Sequence, residues 1–181
     1  MKLYHAGFEI IKNPDVHYGR KNADFGQGFY VTDREEFARR WAKERRDMRP
    51  VINTYEMNFD GLKVHRFKRD HEWFTYIFGN RRGKQDGLDA DVIIGPIAND
   101  TIYDTLGMIT SGILSDEEAL SLLQIGPEYY QIVLKSEKAA ANLQWLEARK
   151  LRDDEIGGYR EILQKEQQEY LETISKKMQE F

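Results

Sequence analysis

The sequence predicts an α+β fold, in which short strands and helices follow one another without the regular alternation of βαβ units. Two segments support this prediction most clearly. Residues 91–96 read Asp-Val-Ile-Ile-Gly-Pro, a β-branched run typical of a buried strand, which the Gly-Pro pair ends. After residue 151, apolar residues instead recur at steps of three, four or seven in a polar background, as in an amphipathic helix.

Seven segments carry the apolar, β-branched or aromatic residues typical of strands. They are 2–5, 8–11, 29–32, 51–59, 62–67, 91–96 and 129–134. Between the second and third, residues 12–28 are polar and rich in turn residues, which predicts a loop. Asp60-Gly61 is a typical two-residue turn, so we expect the segments 51–59 and 62–67 to form a hairpin.

Six segments carry helix signals. They are 34–46, 71–78, 99–113, 116–124, 136–146 and the tail from 151. Asp33 and Ser115 are plausible N-caps, since each is followed three residues later by a glutamate, the spacing of a capping box. The tail helix would be broken, if anywhere, at Gly157-Gly158.

The composition narrows the possible chemistry. The chain has no cysteine, which excludes disulfides, thiolate metal sites and a cysteine nucleophile. A formal charge of -4 argues against attraction of the whole protein to nucleic acid. Charged residues appear early at the N-terminus, before any apolar stretch long enough for a signal peptide, and the weakly polar run 105–115 is too short to span a bilayer. We therefore expect a soluble, cytoplasmic protein with no membrane partner.

Several common functional motifs are absent from the sequence. It has no G-x-x-x-x-G-K-[ST] loop and no G-x-S-x-G elbow, and its four histidines lack metal-binding spacing, so no metal site is expected. A basic stretch could serve as a platform for nucleic acid. Because acidic residues are interleaved with it, a solvated helix face is the simpler explanation. The stretch consists of Arg34, Arg39, Arg40, Lys43, Arg45, Arg46 and Arg49.

Two segments together suggest a ligand cleft. Residues 3–7 present His5 beside the small residues Ala6 and Gly7, and residues 24–32 form a glycine-hinged approach to a strand that presents Tyr30. Small residues let a ligand approach the backbone closely. A histidine donor and a tyrosine face could hold a planar, amide-bearing ring by hydrogen bonding and stacking. Taken singly, each residue also has an ordinary structural explanation.

These motifs resemble the His and Tyr motifs of the ADP-ribosyltransferase fold, in the branch related to poly-ADP-ribose polymerases and diphtheria toxin. More closely, residues 3–146 resemble the small bacterial family DUF3990, a domain of unknown function. The shared features include L-Y-H at the start, D-F-G-x-G-F-Y-x-T, D-V-I-I-G-P-I-A-N-D at 91–100 and Tyr130-Gln131-Ile132. The resemblance implies a split antiparallel β core with an NAD+ cleft between its halves, formed by residues 1–146, and a helical extension over 147–181.

The resemblance also implies roles for individual residues. His5 would bond the adenosine-side ribose and help to hold the nicotinamide amide, and Tyr30 would stack on the nicotinamide ring. Ala6 stands where the family usually has a glycine whose backbone groups clamp that amide. Gly28 would permit close approach, and Thr32 would support its strand. Arg20 is a candidate for a cofactor phosphate, and a salt bridge explains it equally well.

The third position of the implied catalytic triad aligns with Gln131, where many relatives have a glutamate. A glutamine keeps the hydrogen bond to the nicotinamide ribose, but it supplies no negative charge and cannot act as a base. Polymer elongation is therefore not expected. Glu128 could replace it only if the backbone bends there.

The resemblance implies a bacterial NAD+-dependent mono-ADP-ribosyltransferase that modifies a protein or nucleic-acid acceptor. Members of such families look like toxins of toxin–antitoxin or phage-defence systems. Two alternatives stay open: a non-catalytic module that binds NAD+ or ADP-ribose, and a nucleic-acid-binding protein. The tail helix could bind an antitoxin, form a homodimer or brace its own domain.

Overall fold

Seven strands form two sheets in the computed structural model, which describes residues 1–42, 48–84, 87–98, 111–126 and 128–179, without the side chains of residues 160, 163 and 178. The predicted strands at 29–32, 51–59, 62–67, 91–96 and 129–134 are confirmed. The strands are β1 Lys2–Gly7, β2 Phe29–Val31, β3 Val51–Met57, β4 Val64–Arg66, β5 Val92–Pro96, β6 Tyr130–Leu134 and β7 Leu143–Lys150.

The two sheets meet at a single bridge. The first has the order β1-β3-β7 and the second β2-β6-β5-β4. Tyr4 of β1 and Thr32, directly after β2, exchange two backbone hydrogen bonds of 2.8 and 3.0 Å. The pairs are antiparallel except β4 with β5, so the expected all-antiparallel core is wrong at that pair. The α+β class is confirmed.

Five helices are seen in the described part of the chain. They are α1 Glu35–Trp41, α2 His71–Arg81, α3 Asp116–Leu123, α4 Glu137–Ala141 and α5 Asp153–Met178. The capping box at Ser115 is confirmed. At α1, however, the N-cap is Arg34 rather than Asp33, and no side chain caps the helix. Helix α5 continues through Gly157-Gly158 without a break. The predicted helix over 99–113 falls mainly outside the described residues.

Three further predictions are wrong. Residues 136–146 form only the short helix α4, because Leu143 already begins β7, which pairs with β3. Strands β3 and β4 do not form a hairpin, because β4 joins the other sheet beside β5. Residues 8–11 form no strand. Side chains of β3 hold them instead: Asn53 bonds the Glu9 carbonyl and the Ile11 amide, each at 2.9 Å.

Apolar side chains fill the space between the sheets and cover their outer faces. The core between the sheets includes Leu3, Phe29, Val31, Tyr55, Ile94 and Ile132. Helices α2 and α3 cover the second sheet, with Trp73, Ile77 and Leu123 fully buried. Helix α1 and the start of α5 cover the first sheet. Among the described residues, no helix is both long and apolar enough to cross a membrane.

Candidate functional site

Strands β1 and β2 separate directly beyond the Tyr4–Thr32 bridge. Backbone groups alternate in direction along an antiparallel strand. Since Tyr4 directs its N–H and C=O toward Thr32, Ala6 directs its own groups to the same side, and His5 directs its groups toward β3. Counting outward from the bridge, Ala6 lies opposite Tyr30. The backbone of Ala6 therefore faces the gap between the two strands, which we call the β1–β2 split.

His5 joins the two strands across this split. Its Nδ1 lies 2.7 Å from the Tyr30 carbonyl oxygen, and its ring stacks on Phe29 with the centroids 4.6 Å apart. Because a carbonyl only accepts, Nδ1 carries the proton and Nε2 is left as an acceptor. Burial lowers the pKa of His5, so the ring is neutral near pH 7. No described residue bonds Nε2, which lies beside Gly7.

The ring of Tyr30 is fixed by its hydroxyl group. The hydroxyl donates to the Gly26 carbonyl at 2.7 Å and accepts from the Phe25 amide at 3.1 Å. Gly26 has a φ of 70°, a left-handed conformation that favours glycine and closes the turn that holds the hydroxyl. With its hydroxyl anchored in this way, the half-buried ring can offer a rigid aromatic face.

Gln131 lies on the same face of its sheet as Tyr30. Tyr30 is paired with Val133 of β6, and Gln131 comes two residues before Val133, so the two side chains are diagonal neighbours. Gln131 is 8% exposed, and its amide makes no hydrogen bond with any residue in the described segments. Because the groups of this amide are not used within those segments, they could bond a ligand.

The structure thus brings the three predicted catalytic residues together only in part. Side chains alternate along β2, so Phe29, on which His5 stacks, and Tyr30 point to opposite faces. The rings of His5 and Tyr30 are therefore linked through the Tyr30 carbonyl rather than side by side. The contact of His5 with Phe29 was not predicted from the sequence, although the alternation of side chains in Phe29-Tyr30 places Phe29 on the other face of the strand from Tyr30.

Ala6 and Gly28 have clear packing environments. The Ala6 methyl packs against Ala38 and Ile52 beneath α1, on the face away from His5, so it leaves the backbone groups in the β1–β2 split uncovered. A Cβ on Gly28 would lie 2.6 Å from Val133 Cγ1 and 2.7 Å from the Leu134 oxygen. Contact with β6 therefore explains Gly28 without a ligand.

Thr32 and Arg20 differ sharply in their surroundings. Thr32 is fully buried, and its hydroxyl donates to the Tyr130 carbonyl at 3.4 Å, which links it to the strand that carries Gln131. Arg20 is exposed and makes no ion pair with any described carboxylate. The neighbouring Asp24 pairs instead with Arg81 at 2.8 Å.

Two cavities open elsewhere on the surface. One of about 410 Å³ lies between residues 12–16 and α4, and one of about 250 Å³ is lined by Asp33, Phe37 and Tyr130 among others. Neither is lined by His5, Tyr30 or Gln131. Within the described segments, no cluster of three His, Asp or Glu residues could hold a metal ion.

The basic stretch is largely neutralised where the structure describes it. Arg34 pairs with Glu36, Arg39 with Glu35 and Glu155, Arg40 with Glu166, and Arg49 with Asp153. Lys43, Arg45 and Arg46 lie outside the described residues. The ion pairs favour the interpretation of this stretch as a helix face bound to its own protein rather than a phosphate platform.

Comparison with known families identifies a match over most of the chain. The family model described as "Protein of unknown function (DUF3990)" matches residues 1–145. A search of curated proteins found no match. The family match contains every predicted site residue and ends within β7. The predicted boundary at residue 146 also lies inside β7, so α5 lies wholly beyond the match.

Proposed function

We propose, for this member of the DUF3990 family, that the β1–β2 split binds NAD+ and transfers its ADP-ribosyl group to a protein or nucleic-acid acceptor. The observation that carries the proposal is the placement of His5. It is neutral and bonded to the Tyr30 carbonyl beside Ala6 backbone groups that face the split. This arrangement offers a backbone donor and acceptor for an amide and a ring nitrogen that can accept from a hydroxyl.

Three polar parts of NAD+ have a candidate partner in this arrangement. The Ala6 backbone and the adjoining Gly7 would bind the nicotinamide amide, and His5 Nε2 would accept from a ribose hydroxyl. Tyr30 would stack on the nicotinamide ring. Arg20, exposed and unpaired among the described residues, would bind the pyrophosphate.

The proposed reaction exchanges one bond for another at the ribose C1′. The bond from C1′ to the nicotinamide nitrogen breaks, and its electron pair leaves with neutral nicotinamide. An acceptor nucleophile then bonds C1′ and releases its proton to solvent. Gln131 would orient the ribose by a hydrogen bond, but it adds no charge to stabilise the cationic transition state. We therefore expect slow transfer of single units.

A non-catalytic NAD+ or ADP-ribose binding module is the second candidate. It is favoured by Gln131, because a neutral amide can bind a ribose hydroxyl without promoting cleavage. The ion pairs of Arg39 and Arg40 weigh against the third candidate, a nucleic-acid-binding protein. If the protein does not bind DNA or RNA, or if its binding does not weaken as the salt concentration rises, that candidate is rejected.

We propose a bacterial toxin–antitoxin or phage-defence setting, in the cytoplasm where NAD+ is available. This part of the proposal rests on the family resemblance. An antitoxin could cover the split, and a homodimer could form along exposed parts of α5 such as Ile162, which is 48% exposed.

Incubation with NAD+ labelled in its adenylate part tests the enzyme against the binding module. We expect label transfer to lysate protein or nucleic acid, with loss of about 100-fold or more in His5→Ala and Tyr30→Ala if these residues orient the reacting groups. The matched controls are His71→Ala, at an exposed position on α2, and Tyr159→Ala, at a half-buried position on α5 outside the proposed site. NAD+ binding without nicotinamide release would support the module, and absence of binding would reject both.

A substitution at residue 131 tests the proposed role of its amide. Gln131→Glu restores a negative charge facing the ribose and should raise nicotinamide release by about tenfold or more, while Gln131→Ala should lower it. Equal release in all three proteins would place residue 131 outside the site.

A further inference from the structure

Arg40 of α1 connects helix α5 with Tyr129, the residue directly before β6. Arg40 of α1 forms a two-pronged ion pair with Glu166 of α5, with Nη2 and Oε1 2.9 Å apart. The same guanidinium donates to the Tyr129 hydroxyl at 3.0 Å and lies 4.8 Å from the Tyr129 ring centre. The Arg40 side chain is 19% exposed and that of Glu166 is 38% exposed, so the ion pair lies at the edge of the protein surface.

Tyr129 is also held at its ring and backbone. Its ring meets Phe37 edge-on with the centroids 4.4 Å apart, and its carbonyl accepts from the Ile97 amide at 2.7 Å. Two residues later comes Gln131, whose amide has no partner among the described residues. The position of Gln131 in the sheet depends on the backbone that leads into β6.

We propose that a chain of three contacting residues holds the start of β6 in position, and with it Gln131. We call this chain the relay, and it consists of Glu166, Arg40 and Tyr129. Glu166 and Arg40 act through Tyr129, so all three are positioning residues. What Gln131 does there rests on the proposed function, but the relay itself does not. Arg40 and Tyr129 lie within the family match and Glu166 lies beyond it, so the relay connects the matched region to the C-terminal extension.

Other contacts hold α5 in place independently of the relay. Glu155 pairs with Arg39 and Arg149 near the start of the helix, and Ile174 is 1% exposed near its end. Loss of Glu166 should therefore leave α5 docked while it loosens Tyr129. A Glu166 variant therefore distinguishes a role in positioning Tyr129 from a role in holding α5 against the rest of the protein.

Amide hydrogen exchange in the full-length protein tests the relay without reference to activity. In Tyr129→Phe and Glu166→Ala, exchange over residues 128–132 should quicken about tenfold, the factor that corresponds to one lost hydrogen bond, while β1 is unchanged. Glu166→Gln keeps an acceptor and should recover part of the protection. Tyr159→Phe is the matched control. The Tyr159 hydroxyl also accepts a hydrogen bond from an arginine, Arg39, at 3.3 Å, but no contact among the described residues connects Tyr159 to β6.

The outcomes separate the relay from the proposed enzyme. Unchanged exchange at 128–132 in Tyr129→Phe, or equal acceleration throughout the protein, would overturn the relay. If wild-type protein releases nicotinamide, the two variants should lose about tenfold in kcat with little change in KM for NAD+. A wild type that releases none would reject the enzyme, and the exchange data alone would then decide the relay.

Discussion

At the scale of single residues, the neutral state of His5 has a measurable consequence. Burial lowers its pKa below the ordinary 6.5, so the unfolded chain binds a proton there more readily than the folded one. The free energy of unfolding should therefore fall as the pH drops below about 6.5. In His5→Gln this contribution disappears. Urea unfolding measures this difference. From about pH 7.5 to 5.5, the free energy of unfolding should fall by up to about 1.4 kcal/mol less in the variant than in the wild type.

The exposed His71 supplies the control for this measurement. His71→Gln changes a histidine on the surface of α2, where its Nδ1 lies 3.3 Å from the Thr75 hydroxyl. It should leave the acid-induced loss of stability as in the wild type. An equal effect of both substitutions would show that the burial of His5 does not control its protonation.

Gly28 gives a second prediction at this scale. A methyl group there would lie within 2.7 Å of the Leu134 oxygen and closer still to Val133. Gly28→Ala should therefore destabilise the protein by about 1–3 kcal/mol, as overpacking does. Gly157→Ala is the contrasting control, because nothing lies within 4 Å of the added carbon in α5. It should stabilise the helix by about 0.5–1 kcal/mol. Thermal denaturation measures both effects. Shifts of the melting temperature in the same direction for Gly28→Ala and Gly157→Ala would contradict these predictions.

The sequence predicted which residues belong to the candidate site better than it predicted what surrounds them. His5 and Tyr30 could be singled out because few residue types offer a ring donor or an aromatic face. The contacts that decide how they act could not. Three features depend on strands distant in the chain: the bond from His5 to a carbonyl, the burial of the Ala6 methyl under α1, and the lack of a partner for Gln131 among the described residues.

At the scale of elements, predictions succeeded where local signals agreed with tertiary structure. Strand β5 is a continuous apolar run, and α3 begins at a full capping box. Strand β7 was missed because Leu-Gln-Trp-Leu-Glu-Ala-Arg-Lys contains mostly good helix formers. Its pairing with β3 outweighs that weak preference. The false hairpin at Asp60-Gly61 has a similar cause, since a turn motif does not select the sheet that its second strand joins.

The junction of α1, β7 and α5 gives a prediction about acid stability. Glu155 accepts two bonds from Arg149, at 3.0 and 3.1 Å, and one from the Arg152 amide at 3.0 Å. The Arg149 guanidinium is the main reason that the pKa of Glu155 falls to about 2. The stability that this carboxylate adds is present above its ordinary value of 4.5 and is lost as the pH falls toward about 2.

Glu155→Gln should therefore flatten the loss of stability over this acidic range. Urea unfolding between about pH 5 and pH 2.5 measures the change. Glu161→Gln, at an exposed position of α5, should keep the wild-type slope. A Glu155→Gln protein with the full wild-type slope would show that other carboxylates dominate acid unfolding.

At the scale of the whole molecule, α5 ties together parts of the fold that are distant in sequence. Near its start, Ile156 packs with Ala38 and Ile52 over the first sheet. Near its end, Ile174 packs with Leu114 and Leu122 beside α3. The family match ends before this helix, yet the helix contacts elements on both sheets. It therefore braces its own domain, whatever else it binds.

This bracing predicts that the extension unfolds together with the rest of the chain. Ile174→Ala removes a side chain that is 1% exposed, so it should lower the free energy of unfolding by about 2–5 kcal/mol. Ile162→Ala, on the same helix but 48% exposed, should cost less than about 0.5 kcal/mol. Far-ultraviolet circular dichroism follows the helices, and fluorescence follows the three tryptophans, of which Trp73 of α2 is fully buried. If α5 braces the domain, Ile174→Ala shifts both transitions to the same lower urea concentration. If only the helical signal shifts, α5 folds as an independent appendage.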